Sequence, residues 1–527
     1  MPMTRETLLV GELPAGPIDP STIVQVTCRE QAETVPNGTL IQRWDYLTLC
    51  TPSVPRPSAL LPLRQQSDDL ADTVVDYLDL KHGQDALAAI EAELAKAEPE
   101  RCVRDFWADV FRDPPAGVSA YVDEDGGTEK LESVKGRPEE AMKRNDRFGE
   151  GGRREPSLEE GQAVFWRYSG GIFTALMHFS LAGGFSSPNL SAVMRSTGYL
   201  TSSSRDATYR RLVETTLFVL DAMSDMRVGV GKGWKSAVRV RLLHAMVRRK
   251  IRDGKGRIEY SYEEAGVPIN QVDLATVLGS FMIAPLWSLR RSGIHLTPGE
   301  QAAYQAAWRH VGFYLGVSPS LLLQFYGHTF AHAESAFASL AFEAFPTSIP
   351  PIASAYSTPT YQILSAVANR PPRGQPVGHH LEMSRRLLGT GLANQLALPR
   401  GSWKERMTVE LELWIGWTFV HFGRAYRRGW EKDRQAWFRE VIPLLVLWNL
   451  GERRSTFAWR KEERREEKLG QDEGEEPGVK MGRAVGQEVR RRWYWLIGEM
   501  VAVLGVGAVG GAFAVGCVGQ AAYRALV

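Results

Sequence analysis

The chain has 527 residues, with 63 Lys and Arg against 61 Asp and Glu, ten His and four Cys. Apolar residues make up 44% and charged residues 24%, which excludes wholesale disorder. A net charge of +2 gives no electrostatic basis for nucleic-acid binding. Cys28, Cys50, Cys102 and Cys517 are too scattered for a disulfide framework, and there is no C-x-x-C to suggest a structural zinc site. A metal, if bound, would draw its ligands from the histidines.

Residues 1–65 read as an irregular N-terminal arm, punctuated by Pro14, Pro17, Pro20, Pro36, Pro52, Pro55, Pro57 and Pro62, without the apolar run of a secretory signal. Residues 69–97 read as a helix broken near His82 and Gly83. Residues 122–160 are polar and glycine-containing, a loop or insert. Dense apolar material then begins. Segments 161–182, 205–226, 235–251, 271–292, 298–317, 319–343, 405–427 and 432–450 carry helical periodicity, and strand-like alternation is rare. The expected fold is an all-α domain over residues 66–450.

Residues 451–492 follow as a charged linker; Arg460 to Lys468 are all charged, with mixed signs. Met500 to Gly519 then contain no charge, and twenty helical residues span about 30 Å, the thickness of a bilayer core. Arg490, Arg491 and Arg492 precede this run, and Trp493, Tyr494 and Trp495 stand where an interfacial belt would lie. Residues 493–523 are therefore expected to form a C-terminal transmembrane anchor. The arginines would keep the preceding domain on the cytosolic side. Gly507 and Gly511 have the G-x-x-x-G spacing that would let two copies pair as a homodimer.

The stretch from Gly198 to Lys250 is the most informative. Ser203 and Asp206 resemble a capping box opening a helix. On that helix Arg211 and Thr215 share a face, with Phe218 and Ala222 continuing the stripe. Spacing alone favours a surface arginine and a threonine bonded back to its own helix. Gly229, Gly231 and Gly233 mark a turn that lacks the strand and spacing of a dinucleotide site. The next helix places Val240, Leu243, His244, Val247 and Ile251 on one face. A lone imidazole in an apolar stripe is either a hydrogen-bonded core residue or a ligand. An imidazole facing an apolar pocket suits the proximal side of a haem, and Arg241 and Arg248 suit its propionates.

These blocks resemble the rubber oxygenase (latex-clearing protein) and MpaB-type oxygenase family. The resemblance runs through Tyr209 to Thr215, Gly233 to Arg248, Gly266 to Thr276 and Trp308 to Val317, firmly over residues 160–345. It implies a globin-like helical core around a b-type haem, with His244 as the proximal iron ligand and Arg211 and Thr215 on the distal side. Two departures stand out. Glu214 occupies the position before the threonine where bacterial members carry lysine. No Glu lies between Gly161 and Val213, where they carry a catalytic glutamate; Asp206 is the lone acid there.

Outside this constellation, Asn270 and Asp273 read mainly as a helix cap. His328 and His332, four apart, read as part of one packed aromatic helix, and His379 with His380 as residues of a Pro/Gly-rich loop. Hydrolase motifs of the G-x-S-x-G and H-E-x-x-H kinds are missing.

The resemblance thus implies a haem b-dependent oxygenase that uses O2 on the C=C bonds of an apolar isoprenoid or meroterpenoid molecule. The expected location is a membrane, the endoplasmic reticulum, with the catalytic domain facing the cytosol. A non-catalytic haem sensor or carrier, or a membrane-tethered helical scaffold, is the competing expectation, motivated by Glu214 and the missing glutamate.

Overall fold

The structure is a computed structural model. It describes residues 7–14, 16–52, 54–80, 83–115, 118, 156–197, 205–256, 258–345, 356, 358–370, 373–426, 429–450, 486–492, 494–495, 498–499, 501–502 and 505.

The chain is mostly helical, as the periodicity implies, but it also holds a small sheet. Strands β1 (Leu8–Leu9), β2 (Val24–Gln25), β3 (Leu40–Arg43) and β4 (Tyr46–Leu49) lie in the order β1-β4-β3-β2. Only β3 and β4 pair antiparallel, through a tight turn at Trp44 and Asp45. The expected irregular arm is therefore ordered in large part. Its strands of two to four residues are too short for alternation to show in the sequence. The sheet is held by contacts far along the chain. Arg43 Nη1 donates to the Phe342 carbonyl at 2.7 Å, and Tyr46 Oη donates to the Leu388 carbonyl at 2.7 Å.

The helices that position the candidate site come in order. The small α1 (Arg29–Thr34) and α2 (Pro57–Leu60) belong to the sheet region. The expected broken helix appears as α3 (Asp69–Tyr77) and α4 (Ala86–Leu94); α5 (Arg101–Phe111) follows. The 161–182 segment becomes α6 (Leu158–Arg167), α7 (Ser169–Ala175) and a π-helical stretch, Leu176–Leu181. Next come α8 (Pro188–Thr197), α9 (Arg205–Ala222) and α10 (Lys232–Arg252).

Helices α9 and α10 pack along each other as a hairpin. The glycine-rich turn makes this approach feasible. Gly229 has φ +77°, and a Cβ on Gly233 would stand 2.5 Å from the Asp221 carbonyl oxygen. Only glycine lets the start of α10 sit against the end of α9.

The short α11 (Tyr262–Ala265) leads into α12 (Gln271–Met282) and α13 (Ala284–Arg291), which stand where one helix is expected. The break falls just before Pro285, whose missing N–H and ring forbid an unbroken ladder. The run Gln271–Arg291 is long and apolar enough to cross a membrane, but 89% of its most apolar 18-residue stretch is buried within the domain, so it is a core element.

Helix α14 (Pro298–Tyr314) is followed by α15 (Pro319–Tyr326) and α16 (Phe330–Ala344). His328 lies between these last two, not on a shared helix with His332. Thr329 caps α16 by accepting the His332 N–H at 3.2 Å, which restarts the helix there. Then come α17 (Pro359–Val367), α18 (Val377–Leu388) and α19 (Thr390–Gln395). His379 and His380 thus belong to a helix, not to a loop; Pro376 stands at its N-cap, where a missing N–H costs nothing. Helices α20 (Trp403–Tyr426) and α21 (Trp430–Leu450) complete the domain. Residues 451–485 of the expected linker and residues 493, 496–497, 500, 503–504 and 506–523 of the expected anchor lie outside the described residues.

Asn270 caps α12 as expected, accepting the Asp273 N–H at 3.0 Å, but Asp273 does not reach back to close a box. Its side chain is buried, and Oδ2 has no hydrogen-bond partner. Burial pushes the Asp273 carboxyl up to about 7, against the opposing pull of Arg64. The folded chain therefore holds a proton that the unfolded chain releases near pH 4. Stability is expected to fall as pH rises from about 4 to about 7, by about 1.4 kcal/mol per pH unit at most. Urea unfolding across this range should show the slope, and Asp273→Asn should flatten it and stabilise the protein above pH 7. An unchanged slope in the variant would contradict the assignment.

Candidate active site

Helix α10 carries two faces. Trp234, Ala237, Val238, Arg241, Leu242, Ala245 and Arg248 are buried. About a quarter turn away, Val240, Leu243 and His244 are only partly covered, while Val247 and Ile251 at the far end of the stripe are buried. The apolar stripe is thus the more open side at its middle, and two arginines lie on the closed one.

The closed side is an acid–base seam with α3 and α5. Arg241 Nε and Nη2 donate to Asp68 at 2.5 and 2.9 Å, and its Nη1 donates to Asp109 at 2.8 Å. Arg248 Nε lies 2.7 and 3.0 Å from the two Asp72 oxygens. Arg252 pairs with Asp76 at 2.5 Å, and Arg249 with Asp79. The arginine forks match the carboxylates in a geometry that lysine could not supply.

Three of the five N–H donors of Arg241 are directed at Asp68 and Asp109, an ion-pair role within the fold that its own helix does not reveal. Arg248 differs, because its Nη2 is buried without a partner. The missed residues are Asp68, Asp72 and Asp109. Asp68, Asp72 and Asp76 recur every fourth residue, the spacing of one helix face, and that pattern was the available signal.

His244 stands at the border of the two faces. Its Nδ1 is enclosed and has no hydrogen-bond partner. Burial, reinforced by the Arg248 charge, lowers the imidazole pKa to about 4. The ring is therefore neutral at physiological pH, the form that can coordinate a metal. An unpartnered buried nitrogen costs roughly 1–3 kcal/mol, which a coordination bond would offset.

The hairpin brings the other candidates to the same level. Ser236 Oγ donates to Asp221 Oδ2 at 2.8 Å, so the end of α9 meets the start of α10. Counting from this contact, His244 is as far along α10 as Val213 is back along α9. Arg211 and Thr215 flank Val213 in sequence. Arg211 Nη1 donates to Glu214 Oε2 at 2.8 Å, so the departure at Glu214 acts as a charge partner within the same turn. Thr215 Oγ1 donates to the Arg211 carbonyl at 3.1 Å, the back-bonded arrangement of a helical threonine. Asp206 pairs with Arg370, and Ser203, its expected capping partner, lies outside the described residues.

Two further features lie elsewhere. An apolar crevice with about 40 Å³ of internal space is lined by Tyr46, Phe179, Phe281, Trp287 and Phe337, and it touches none of the candidate residues. His178 and His380 stack, with His178 Nε2 3.0 Å from His380 Nδ1. Burial holds them at about 4 and about 3, so both are neutral. Among the described residues no group of three or more His, Cys, Asp or Glu is arranged to hold a metal ion. A haem iron bound through a single protein ligand needs no such group.

Residues 166–427 match the family described as ER-bound oxygenase mpaB/B'/Rubber oxygenase, catalytic domain. The chain belongs to this family, whose members are oxygenases and hence oxidoreductases. The matched range contains α9, α10 and every candidate site residue. A solved structure of latex clearing protein in the closed state is 16% identical, with a TM-score of 0.45, and the match covers 68% of this chain and 85% of that one. No curated protein matches the chain.

The seam predicts how Arg241 should respond to mutation. Arg241→Ala would leave Asp68 and Asp109 without their shared cation, and is expected to cost roughly 3–5 kcal/mol in urea unfolding. A propionate contact would instead show as lost haem affinity at nearly unchanged stability of the haem-free chain.

Proposed function

We propose that the chain is a b-type haem-dependent oxygenase that uses O2 to cleave or oxidise C=C bonds in an apolar, isoprenoid-like molecule. The observation that carries this reading is His244, a neutral imidazole with an enclosed, unpartnered nitrogen on a partly open apolar stripe within the matched domain. His244 would hold the iron, and the buried, unpartnered Nη2 of Arg248 would be available to pair with a propionate. When bound, haem supplies the redox chemistry and the activation of O2.

The chain's own residues bind, orient and exclude water. Val240, Leu243 and Val247 provide an apolar wall beside His244, suited to a flat macrocycle or an isoprenoid chain. Arg211 brings positive charge to the facing helix, moderated by Glu214. Thr215 has given its hydroxyl proton to a carbonyl, so as it stands its oxygen accepts; it donates to a ligand only after turning off that bond. No carboxylate of this segment replaces the glutamate of bacterial members, since Asp206 is exposed and bound to Arg370.

We further assign residues 493–523 to a membrane anchor, with the domain on the cytosolic side of the endoplasmic reticulum. The uncharged run, its arginine flank and the aromatic residues between them support this. The Gly507 and Gly511 spacing supports pairing of two copies.

Incubation of the haem-loaded protein with an unsaturated isoprenoid under isotopic O2 should yield carbonyl or hydroxyl products carrying the label. Haem binding without labelled product would instead mark a carrier or sensor. Arg211→Ala and Thr215→Ala should keep the haem and lower kcat/KM roughly 10- to 100-fold. Unchanged turnover would return both residues to a purely structural role. For the anchor, alkaline carbonate should leave the full chain in the membrane pellet and extract a chain ending before Arg490. Extraction of the full chain would contradict a spanning segment.

A further inference from the structure

Helix α20 has an outward apolar row with no partner among the described residues. Trp403, Met407, Leu411 and Trp414 are 65, 60, 53 and 52% exposed. Their spacings of four, four and three keep them on one stripe, about 17 Å long. The helix already has a core side. Val409 and Thr418 are buried, Leu413 and Val420 pack against the core, and Trp417 Nε1 donates to the Gly293 carbonyl at 3.1 Å. The stripe is therefore additional to what folding needs.

The charges around it are unequal. Glu405 accepts the Ser402 N–H at 2.6 Å, Glu410 pairs with Arg386 at 2.8 Å, and Glu412 pairs with Arg373 and, at 3.1 Å, His379. Lys404 and Arg406 are exposed on the same helix, with no carboxylate partner among the described residues. The row is thus apolar, with tryptophan at each end and uncompensated cations beside it.

We propose that this face of α20 lies in the headgroup layer of a bilayer containing anionic lipid. Tryptophan favours that interface, and Lys404 and Arg406 would meet lipid phosphates and carboxylates. A second copy of the chain fits less well, because it would bring the unpaired cations of both copies together. The C-terminal segment adds a second feature of the same kind. Tyr494 and Trp495 are exposed just after Arg490, Arg491 and Arg492, and Arg492 is tied to Glu440 of α21 at 2.5 Å. Helix α21 packs on α20. The proposal rests on this surface alone and stands or falls separately from the haem reading.

The test uses the full chain reconstituted in phosphatidylcholine vesicles with a minor fraction of phosphatidylserine. A photoactivatable phospholipid is crosslinked, and adducts are mapped by mass spectrometry. Peptides covering Trp403 to Trp414 should carry adducts. In Trp403→Asp/Trp414→Asp these adducts should drop about fivefold or more while those on residues 493–523 persist. Lys404→Glu/Arg406→Glu should reduce them as well, which keeps the test valid if the tryptophan variant fails to fold. Adducts confined to residues 493–523 would overturn the proposal. Hydroxyl-radical footprinting of Trp403 and Met407 without vesicles covers the other occupants. Protection that rises with protein concentration would assign the face to a second copy, and protection at all concentrations would assign it to the chain's own C-terminal segment; either result overturns the proposal.

Discussion

The clamp of Arg241 between Asp68 and Asp109 sets the rotation of α10, and the candidate site depends on that rotation. A guanidinium buried with two carboxylates satisfies its donors in one orientation of the helix and leaves buried charge unpaired in any other. Arg248 with Asp72, about two helical turns further on, fixes the same rotation from the other end. Between them the helix has no freedom to turn its apolar stripe inward. Val240, Leu243 and His244 are left facing a less crowded side, beside α9.

The electrostatics of His244 follow from that placement. Its ring lies within reach of the Arg248 charge and deep enough to lose solvation, so both effects favour the neutral form. The nitrogen left without a partner is a destabilising feature in a structural residue and a useful one in a ligand. The same division assigns different work to the two arginines that flank it: Arg241 is committed to the fold, and Arg248 holds one donor in reserve. Opposite them, Glu214 neutralises part of the Arg211 charge from within the same helical turn. The facing helix is therefore less cationic than one bearing lysine at that position.

Much of the helical architecture was legible because α9, α10, α14, α20 and α21 are long and periodic. The small sheet was not, since its longest strands have four residues and depend on contacts such as Arg43 to Phe342, about 300 positions away. Helix α18 was hidden by Pro376 and Gly378, which read as loop residues until the proline is seen at the N-cap. His244 could be singled out because an imidazole interrupts an apolar stripe. The use of Arg241 could not be read from its own helix, where an arginine beside a candidate ligand looks like an anion site. Its partners lie on α3 and α5, more than a hundred residues earlier, and only packing joins them.

His244 is the proposed iron ligand. The direct measurement is the absorption spectrum of purified protein reconstituted with haem, for the unaltered chain and for His244→Ala. A Soret band is expected in the first, its loss in the second, and its return on adding imidazole to His244→Gly. An unchanged Soret band in His244→Ala, or none in the unaltered chain, would contradict it.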